Sequence, residues 1–95
     1  MNATVPGLAI VPDPDDPGSL LVVHESSGLR VVQDCAGEGC AETAMIWLAG
    51  VTDWTAGWHA IVDAMAADPS LIAGMERAAI RAGAALIKGE RLTAA

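Results

Sequence analysis

Two cysteines and two histidines are the residues of this chain best suited to act as nucleophiles, bases or metal ligands. Cys35 and Cys40 are separated by four residues, whereas His24 and His59 are isolated from each other. Structural zinc needs four ligands and usually takes tighter pairs, and a cysteine nucleophile needs an oriented base. We therefore expect two ordinary thiols, no metal, no cofactor and no enzyme. The alternatives are a Cys35–Cys40 disulfide, and a small metal-binding or thiol protein that uses these cysteines with His59.

Two other short patterns are too incomplete to predict a ligand site. Asp13, Asp15 and Asp16 alternate with prolines, whereas a calcium loop needs a central glycine and a distal glutamate. The glycine pair around Glu38 lacks the third glycine and the lysine of a phosphate-binding loop, and its carboxylate would repel phosphate. We expect a solvated loop at the first pattern and a flexible connector at the second.

The charge of the chain is unevenly distributed. Its net charge is −7, and residues 1–70 hold ten acidic side chains against the single base Arg30, whereas residues 71–95 hold two acids and four bases. An acidic body repels nucleic acid and anionic lipid, so we expect no direct nucleic-acid or membrane binding. One alternative function is an acidic mimic that inhibits a DNA- or RNA-binding protein. The carboxylates that would stand in for phosphates belong to Asp13, Asp15, Asp16, Asp34, Glu38 and Glu42.

The N-terminal residues, the lengths of the apolar segments and the amino-acid composition indicate where the protein is located and what kind of genome encodes it. The first residues have no basic side chain and no long apolar run, unlike a signal or transit peptide, and no segment is apolar enough to span a membrane. We expect a cytoplasmic protein. The chain has no Phe or Tyr and is rich in alanine and glycine, which indicates a GC-rich genome such as that of an actinobacterium or its phages.

The first third of the chain reads as β-structure. Residues 8–11 and 20–24 are short apolar runs, and residues 29–33 form a return strand after the turn residues Ser26, Ser27 and Gly28. A two-residue turn would place Glu25 opposite Arg30, whereas a longer turn with a bulge would shift the register.

Three helices are expected after the strands. The first should begin near residue 40 or 41 and end at Gly50, a natural left-handed stop. The second should present one apolar face, formed by Trp54, Trp58, Ile61, Val62 and Met65. The third should run over residues 69–88 and stop at Gly89, and its polar stripe consists of Arg77, Arg81 and Lys88. The residues at helical spacing on the first helix are Ala41, Ala44, Met45 and Leu48.

This order of elements predicts an α+β fold, with a small antiparallel β-meander of two or three strands followed by three α-helices packed on one face. We expect one domain over residues 1–95, with residues 1–7 as a flexible arm and residues 90–95 as a frayed tail. Strand, Ser-Gly turn, strand and helix over residues 20–49 resemble the small DNA-binding modules of phage integrases, which carry basic strands where this hairpin has only Arg30. The short motif-free frame is also similar to accessory proteins of actinobacterial phages.

The last predicted helix is more apolar than a small protein can readily cover. We therefore predict a non-catalytic protein–protein interaction module, a phage or mobile-element accessory protein that forms a homodimer or modulates a host protein. Exposed tryptophans and aliphatic side chains are typical of such contacts. The predicted partner-binding residues are Trp54, Trp58, Ile72, Met75, Ile80 and Leu86.

Overall fold

The computed structural model describes residues 5–83 together with the backbone of residues 85–86. Three strands come first: β1 (Leu8–Pro12), β2 (Leu20–His24) and β3 (Arg30–Cys35). Three helices follow, α1 (Glu38–Leu48), α2 (Trp58–Ala67) and α3 (Ser70–Ala82), and then the two-residue strand β4 (Ala85–Leu86). The predicted α+β fold, with strands first and helices after them, is confirmed.

The strands form one antiparallel sheet in the order β1-β2-β3-β4. The loop between β1 and β2 is held by its own aspartates, because the Asp13 carboxylate accepts the Asp15 amide at 2.8 Å and the Asp16 carboxylate accepts the Ser19 hydroxyl at 2.7 Å. Short polar side chains next to proline favour such turns. The loop therefore folds back tightly and lets β1 pair with β2.

The hairpin between β2 and β3 takes the longer turn. Val23, not Glu25, lies opposite Arg30, and the register shifts on both sides of Val22. Of the two registers left open by the sequence, the structure therefore has the shifted one, without the Glu25–Arg30 pair. Arg30 instead reaches the β1–β2 loop, where its Nη2 lies 3.0 Å from the Asp15 carboxylate, since the bulged strand aims its side chain towards that loop.

The first two helices begin at other residues than the sequence predicts. α1 starts at Glu38, two residues early, with Gly37 in an extended conformation at its N-cap and no side-chain cap. α2 starts only at Trp58, so Trp54 lies in the preceding loop and not on the helix. Helical periodicity extended backwards through residues 54–57 was misleading, because a turn also spaces side chains about four residues apart.

The third helix is shorter than predicted. It ends at Ala82 because Gly83 takes a left-handed conformation, with φ of 70°, which only glycine adopts at little cost. The prediction of a helix to residue 88 is wrong, since residues 85–86 pair with Val32 and Gln33 of β3. The predicted stop at Gly89 and the predicted tail lie outside the described residues.

The core lies between the sheet and the helices. α1 contacts all of β1, β2 and β3 and also packs against α3, which contacts α2. Gly74 of α3 allows the segment after α1 to come close, because a Cβ there would lie 3.2 Å from a methyl group of Val51. In the described residues, no helix has the length and apolar character needed to cross a membrane. The largest fully buried side chains are Trp54, Leu48, Ile61, Met75, His24, Val22, Val31, Val32 and Cys35.

Candidate functional site

Two of the predicted partner-binding side chains lie inside the core. Trp54 is 1% exposed and Met75 is fully buried. The indole N–H of Trp54 donates to the Leu48 carbonyl at 2.9 Å, which satisfies one of the carbonyls left free at the end of α1. Neither side chain is available to a partner in this structure, so both act in packing.

Trp58 is half-buried beside His24. The two rings lie 5.4 Å apart between centroids. The buried imidazole of His24 donates from Nε2 to the Ala56 carbonyl at 2.9 Å, and its Nδ1 lies 2.8 Å from the Ser27 hydroxyl. A carbonyl only accepts, so Nε2 carries the proton. Nε2 thus joins β2 to the loop before α2, and Nδ1 bonds to the turn between β2 and β3.

The predicted residues of the last helix separate into different environments. Ile72 is half-buried against the core, whereas Ile80 is 74% exposed. The side chain of Leu86 lies outside the described residues. Of the predicted residues whose side chains are described, Ile80 is the exposed large one.

The exposed apolar side chains of α1 and α3 define a different surface from the predicted one. Ile46 and Trp47 of α1 are 63% and 43% exposed, and with Ile80 they are the exposed large apolar residues of the described chain. Arg77 and Arg81 lie on the exposed face of α3. Trp47 faces Arg81 and lines a groove together with Arg77, and we call these three residues the α1–α3 surface.

Trp47 and Arg81 join the two helices across this surface. The guanidinium carbon of Arg81 lies 5.1 Å from the centre of the Trp47 ring, a distance at which a cation is attracted to the face of an aromatic ring. At an exposed site such a contact is worth about 0.5–1 kcal/mol, so it favours this arrangement of the partly exposed indole and the cation.

A groove adjoins this pair. It has a volume of about 290 Å³, and its accessible walls are more polar than apolar and include one cation. Small-molecule sites are typically about 300–1,000 Å³, so the groove suits one or two side chains of a partner. Its lining residues are Trp47, Gly50, Val51, Ser70, Leu71, Gly74 and Arg77.

The cations of the α1–α3 surface differ from Arg30. Within the part of the chain that the structure describes, Arg77 and Arg81 make no ion pair, whereas Arg30 pairs with Asp15 at 3.0 Å and approaches Asp13 at 3.9 Å. A guanidinium without a carboxylate partner retains its capacity for bidentate binding. The surface is therefore apolar and positively charged on a chain whose net charge is −7.

The two cysteines lie on either side of the junction between β3 and α1. Cys35 is fully buried at the end of β3, and Cys40 is half-buried in the first turn of α1. Burial, the interaction with the Cys40 thiol and the negative charge of Asp34 raise the pKa of the Cys35 thiol to about 12. The Cys40 thiol donates a hydrogen bond to the Ala82 carbonyl at the end of α3. His59 is exposed on α2, and no group of three potential metal ligands occurs within the described residues.

The carboxylates of the proposed nucleic-acid mimic lie on separate elements. Asp13 and Asp15 adjoin Arg30, which offsets part of their charge, and Asp13 is largely buried. Asp34 is exposed on β3, and Glu38 is exposed on α1. The acidic-mimic function stays a prediction.

Sequence reasoning missed Ile46 and Trp47 as surface residues. The spacing of Ala41, Ala44, Met45 and Leu48 correctly predicts the buried face of α1, and two consecutive large apolar residues outside that stripe were the signal of an exposed patch. The polar stripe of α3 gave Arg77 and Arg81, but only the packing of α1 against α3 showed that they lie beside Trp47.

We compared the chain with protein-family models, with curated proteins and with solved structures. None of the three comparisons found a match. The likeness of residues 20–49 to integrase DNA-binding modules therefore gains no support from a solved structure. No family is assigned, and the functional argument rests on the geometry of the α1–α3 surface.

Proposed function

We propose that this protein is a small non-catalytic protein-interaction module that binds an acidic, partly apolar segment of a partner protein through the α1–α3 surface. The observation that carries the proposal is the exposed Trp47, held against Arg81 at 5.1 Å beside the groove that contains Arg77. Tryptophan and arginine are the side chains most often dominant in protein interfaces.

Large apolar side chains of α1 and α3 are exposed to solvent. Ile46 and Ile80 are more than half exposed, although the chain has no Phe or Tyr with which to build its core. Leaving two isoleucines and a tryptophan in water forfeits burial energy, at roughly 25 cal/mol for each Å² of apolar area. A partner that covers these side chains recovers that energy.

Charge selects the chemistry of the partner. Arg77 and Arg81 are free of ion pairs within the described residues, and carboxylates are the groups that a guanidinium binds bidentately. The rest of the chain is acidic, so an acidic partner is repelled elsewhere and attracted here. An apolar side chain packed on the Trp47 ring and carboxylates on the two arginines match both the apolar and the charged part of the surface.

The amino-acid composition, which indicates a GC-rich genome, suggests a biological setting for this interaction. In a phage or mobile element of a GC-rich host, the partner would be a host protein whose activity the module modulates. A second copy of this chain is the competing occupant, because its own acidic loop at residues 13–16 also carries carboxylates.

A selection from a displayed library of random peptides tests the proposal before any natural partner has been identified. We expect enriched peptides to combine Asp or Glu with a large apolar residue, and their affinity to fall as salt concentration rises. Replacing both arginines, as Arg77→Gln with Arg81→Gln, should weaken binding at least about tenfold.

A matched control separates local contacts from net charge. Ala60 and Ala66 are exposed on α2, and replacing both by glutamate changes the net charge by as much as the double arginine variant does. The control should bind the selected peptides within about twofold of wild type, since exposed charges beyond a Debye length are largely screened. Enrichment of basic peptides, equal loss in both variants, or no enrichment would contradict the proposal. Light scattering that shows a dimer blocked by Trp47→Ala would favour the second copy instead.

A further inference from the structure

One side of α3 carries a stripe of residues that faces the end of α1. The stripe follows the spacing i, i+4, i+7 and i+11, which keeps side chains on one side of a helix. Its residues are Ser70, Gly74, Arg77 and Arg81. The first three line the groove together with Trp47, and Arg81, which faces the Trp47 ring at 5.1 Å, continues the same line. The groove and the two cations therefore lie along the axis of α3.

We propose that the acidic partner segment binds as an α-helix that lies along this stripe, with two carboxylates one helical turn apart facing Arg77 and Arg81. This inference rests on the proposed function, because it specifies the conformation of the segment that the α1–α3 surface binds. The charge of the two arginines defines the chemistry of the segment, and the spacing of the stripe defines its shape.

The positions along the stripe match the repeat of a helix. At a rise of about 1.5 Å per residue, Arg77, Gly74 and Ser70 lie about 6, 10 and 16 Å from Arg81 along the axis of α3. A helix packed beside α3 has the same rise, so its own residues at i+4, i+7 and i+11 reach the same heights. An extended segment repeats one face about every 6.7 Å, so it matches Arg77 but misses Gly74 by about 3 Å.

The two ends of the stripe differ in the side chains that they can accept. Arg77 and Arg81 are exposed, and each guanidinium can bind a carboxylate through two parallel hydrogen bonds. Gly74 has no side chain, and a methyl group of Val51 lies 3.2 Å from the position that a Cβ would take there. The partner helix therefore needs carboxylates at i and i+4 and a small residue at i+7.

Trp47 determines where the apolar residue of the partner belongs. Its partly exposed indole lines the groove beside Arg77 and faces Arg81, so it flanks the segment between the two cations. On a helix, the residue at i+3 lies on the same face as those at i and i+4 and between them along the axis. An apolar residue at i+3 is thus placed to pack on the indole.

Two synthetic peptides of identical composition test the helical conformation. Both have about 15 residues on the same alanine-rich background, and each contains two glutamates and one leucine. The helical-pattern peptide has the glutamates at i and i+4 with leucine at i+3, whereas the alternating peptide has them at i and i+2 with leucine at i+4. We expect the helical-pattern peptide to bind the full chain at least about tenfold more tightly. Its circular dichroism should also show added helix on binding, since a free peptide of this length is marginally helical.

The outcomes separate this inference from the proposed function. Tighter binding of the alternating peptide, or equal binding of both, would overturn the helical conformation while leaving an acidic-peptide site in place. Failure of both peptides to bind, while acidic peptides selected from the random library still do, would also overturn the helical conformation alone. Absence of acidic peptides from that selection would overturn the proposed function and this inference with it.

A double-mutant cycle tests the register of the helix on the stripe. Each peptide glutamate is replaced by glutamine and combined with Arg77→Gln or Arg81→Gln. Each arginine should couple to one glutamate by at least about threefold in affinity, whereas the crossed pairs should be additive. Arg30→Gln, which removes the same charge from a residue paired with Asp15, should change the affinity by less than about twofold. Equal coupling of both arginines to both glutamates would overturn the register.

Discussion

The loop between α1 and α2 and the α1–α3 surface each contain a tryptophan, yet the two side chains have opposite environments. Trp54 of the loop is 1% exposed and its indole N–H is bonded to Leu48. Trp47 of the surface is 43% exposed and faces Arg81. The first indole is surrounded by its own chain, whereas the second is open to another molecule.

Three neighbouring elements hold the loop at residues 51–57. Leu48 of α1 accepts the Trp54 indole N–H, and His24 of β2 donates to the Ala56 carbonyl. Gly7, just before β1, packs so tightly that a Cβ there would lie 2.2 Å from the Trp54 carbonyl oxygen. Burial with complete hydrogen bonding therefore marks Trp54 as a structural tryptophan, whereas the exposure of Trp47 beside unpaired cations is what its proposed binding role requires.

The largest effect is expected from shortening Trp54. Trp54→Ala removes a large buried side chain and the donor to Leu48, so we expect a loss of about 3–5 kcal/mol in the free energy of unfolding. Urea denaturation measures it. Trp54→Phe, which keeps most of the apolar volume, should recover more than half of the loss. A change below about 1 kcal/mol for Trp54→Ala would remove the contrast between the two tryptophans.

Replacing His24 should have the next largest effect. His24→Ala leaves the Ala56 carbonyl without its donor and opens space beside Trp58, so we expect a loss of about 1–3 kcal/mol in the free energy of unfolding. Ser26→Ala is the matched control, because the Ser26 hydroxyl lies 3.5 Å from the ring in an exposed turn. Equal effects of the two substitutions would mean that His24 does not hold the loop.

Alkaline pH should weaken the core and leave the α1–α3 surface unaffected. The pKa of Cys35 rises from 9.0 to about 12 on folding, so above pH 9 the unfolded chain loses a proton that the folded protein keeps. Stability is therefore present below pH 9 and falls as pH rises towards 12, by at most about 1.4 kcal/mol per pH unit. Denaturation under reducing conditions should show this slope, and Cys35→Ala should flatten it. An unchanged slope in the variant would assign the effect to other groups.

The smallest effect on stability is expected at the surface. Trp47→Ala removes a side chain that is nearly half exposed, so the free energy of unfolding should change by less than about 1 kcal/mol. Binding of the selected acidic peptides should nevertheless fall at least about tenfold. Thermal denaturation and peptide titration on the same sample measure both. A large loss of stability with unchanged binding would reverse the roles of Trp47 and Trp54.

Much of the fold follows from local patterns. Short apolar runs and turn chemistry predicted the three strands, and the spacing of Ala41, Ala44 and Leu48 predicted the buried face of α1. The end of α3 could not be predicted this way, because Gly83 and Gly89 are both natural stops. Pairing of residues 85–86 with β3 is a long-range contact that local sequence does not encode.

The candidate site was less predictable than the fold. The sequence suggested an apolar last helix with Ile80 as a partner-binding residue, and the structure leaves that side chain 74% exposed. It also suggested Trp54 and Met75, which are buried in the structure. Helical periodicity shows which residues share a face but not whether that face is covered. Trp47 was overlooked for the same reason.

Local properties of the chain were enough to establish the order of the elements, the acidic character of the first 70 residues and the basic stripe of α3, because propensity, spacing and charge can be read residue by residue. Three outcomes needed the folded molecule: which tryptophan is buried, that Arg81 lies over Trp47, and that the Cys40 thiol reaches the Ala82 carbonyl of α3. They depend on how helices pack against each other and against the sheet, and such packing joins residues that are distant along the chain.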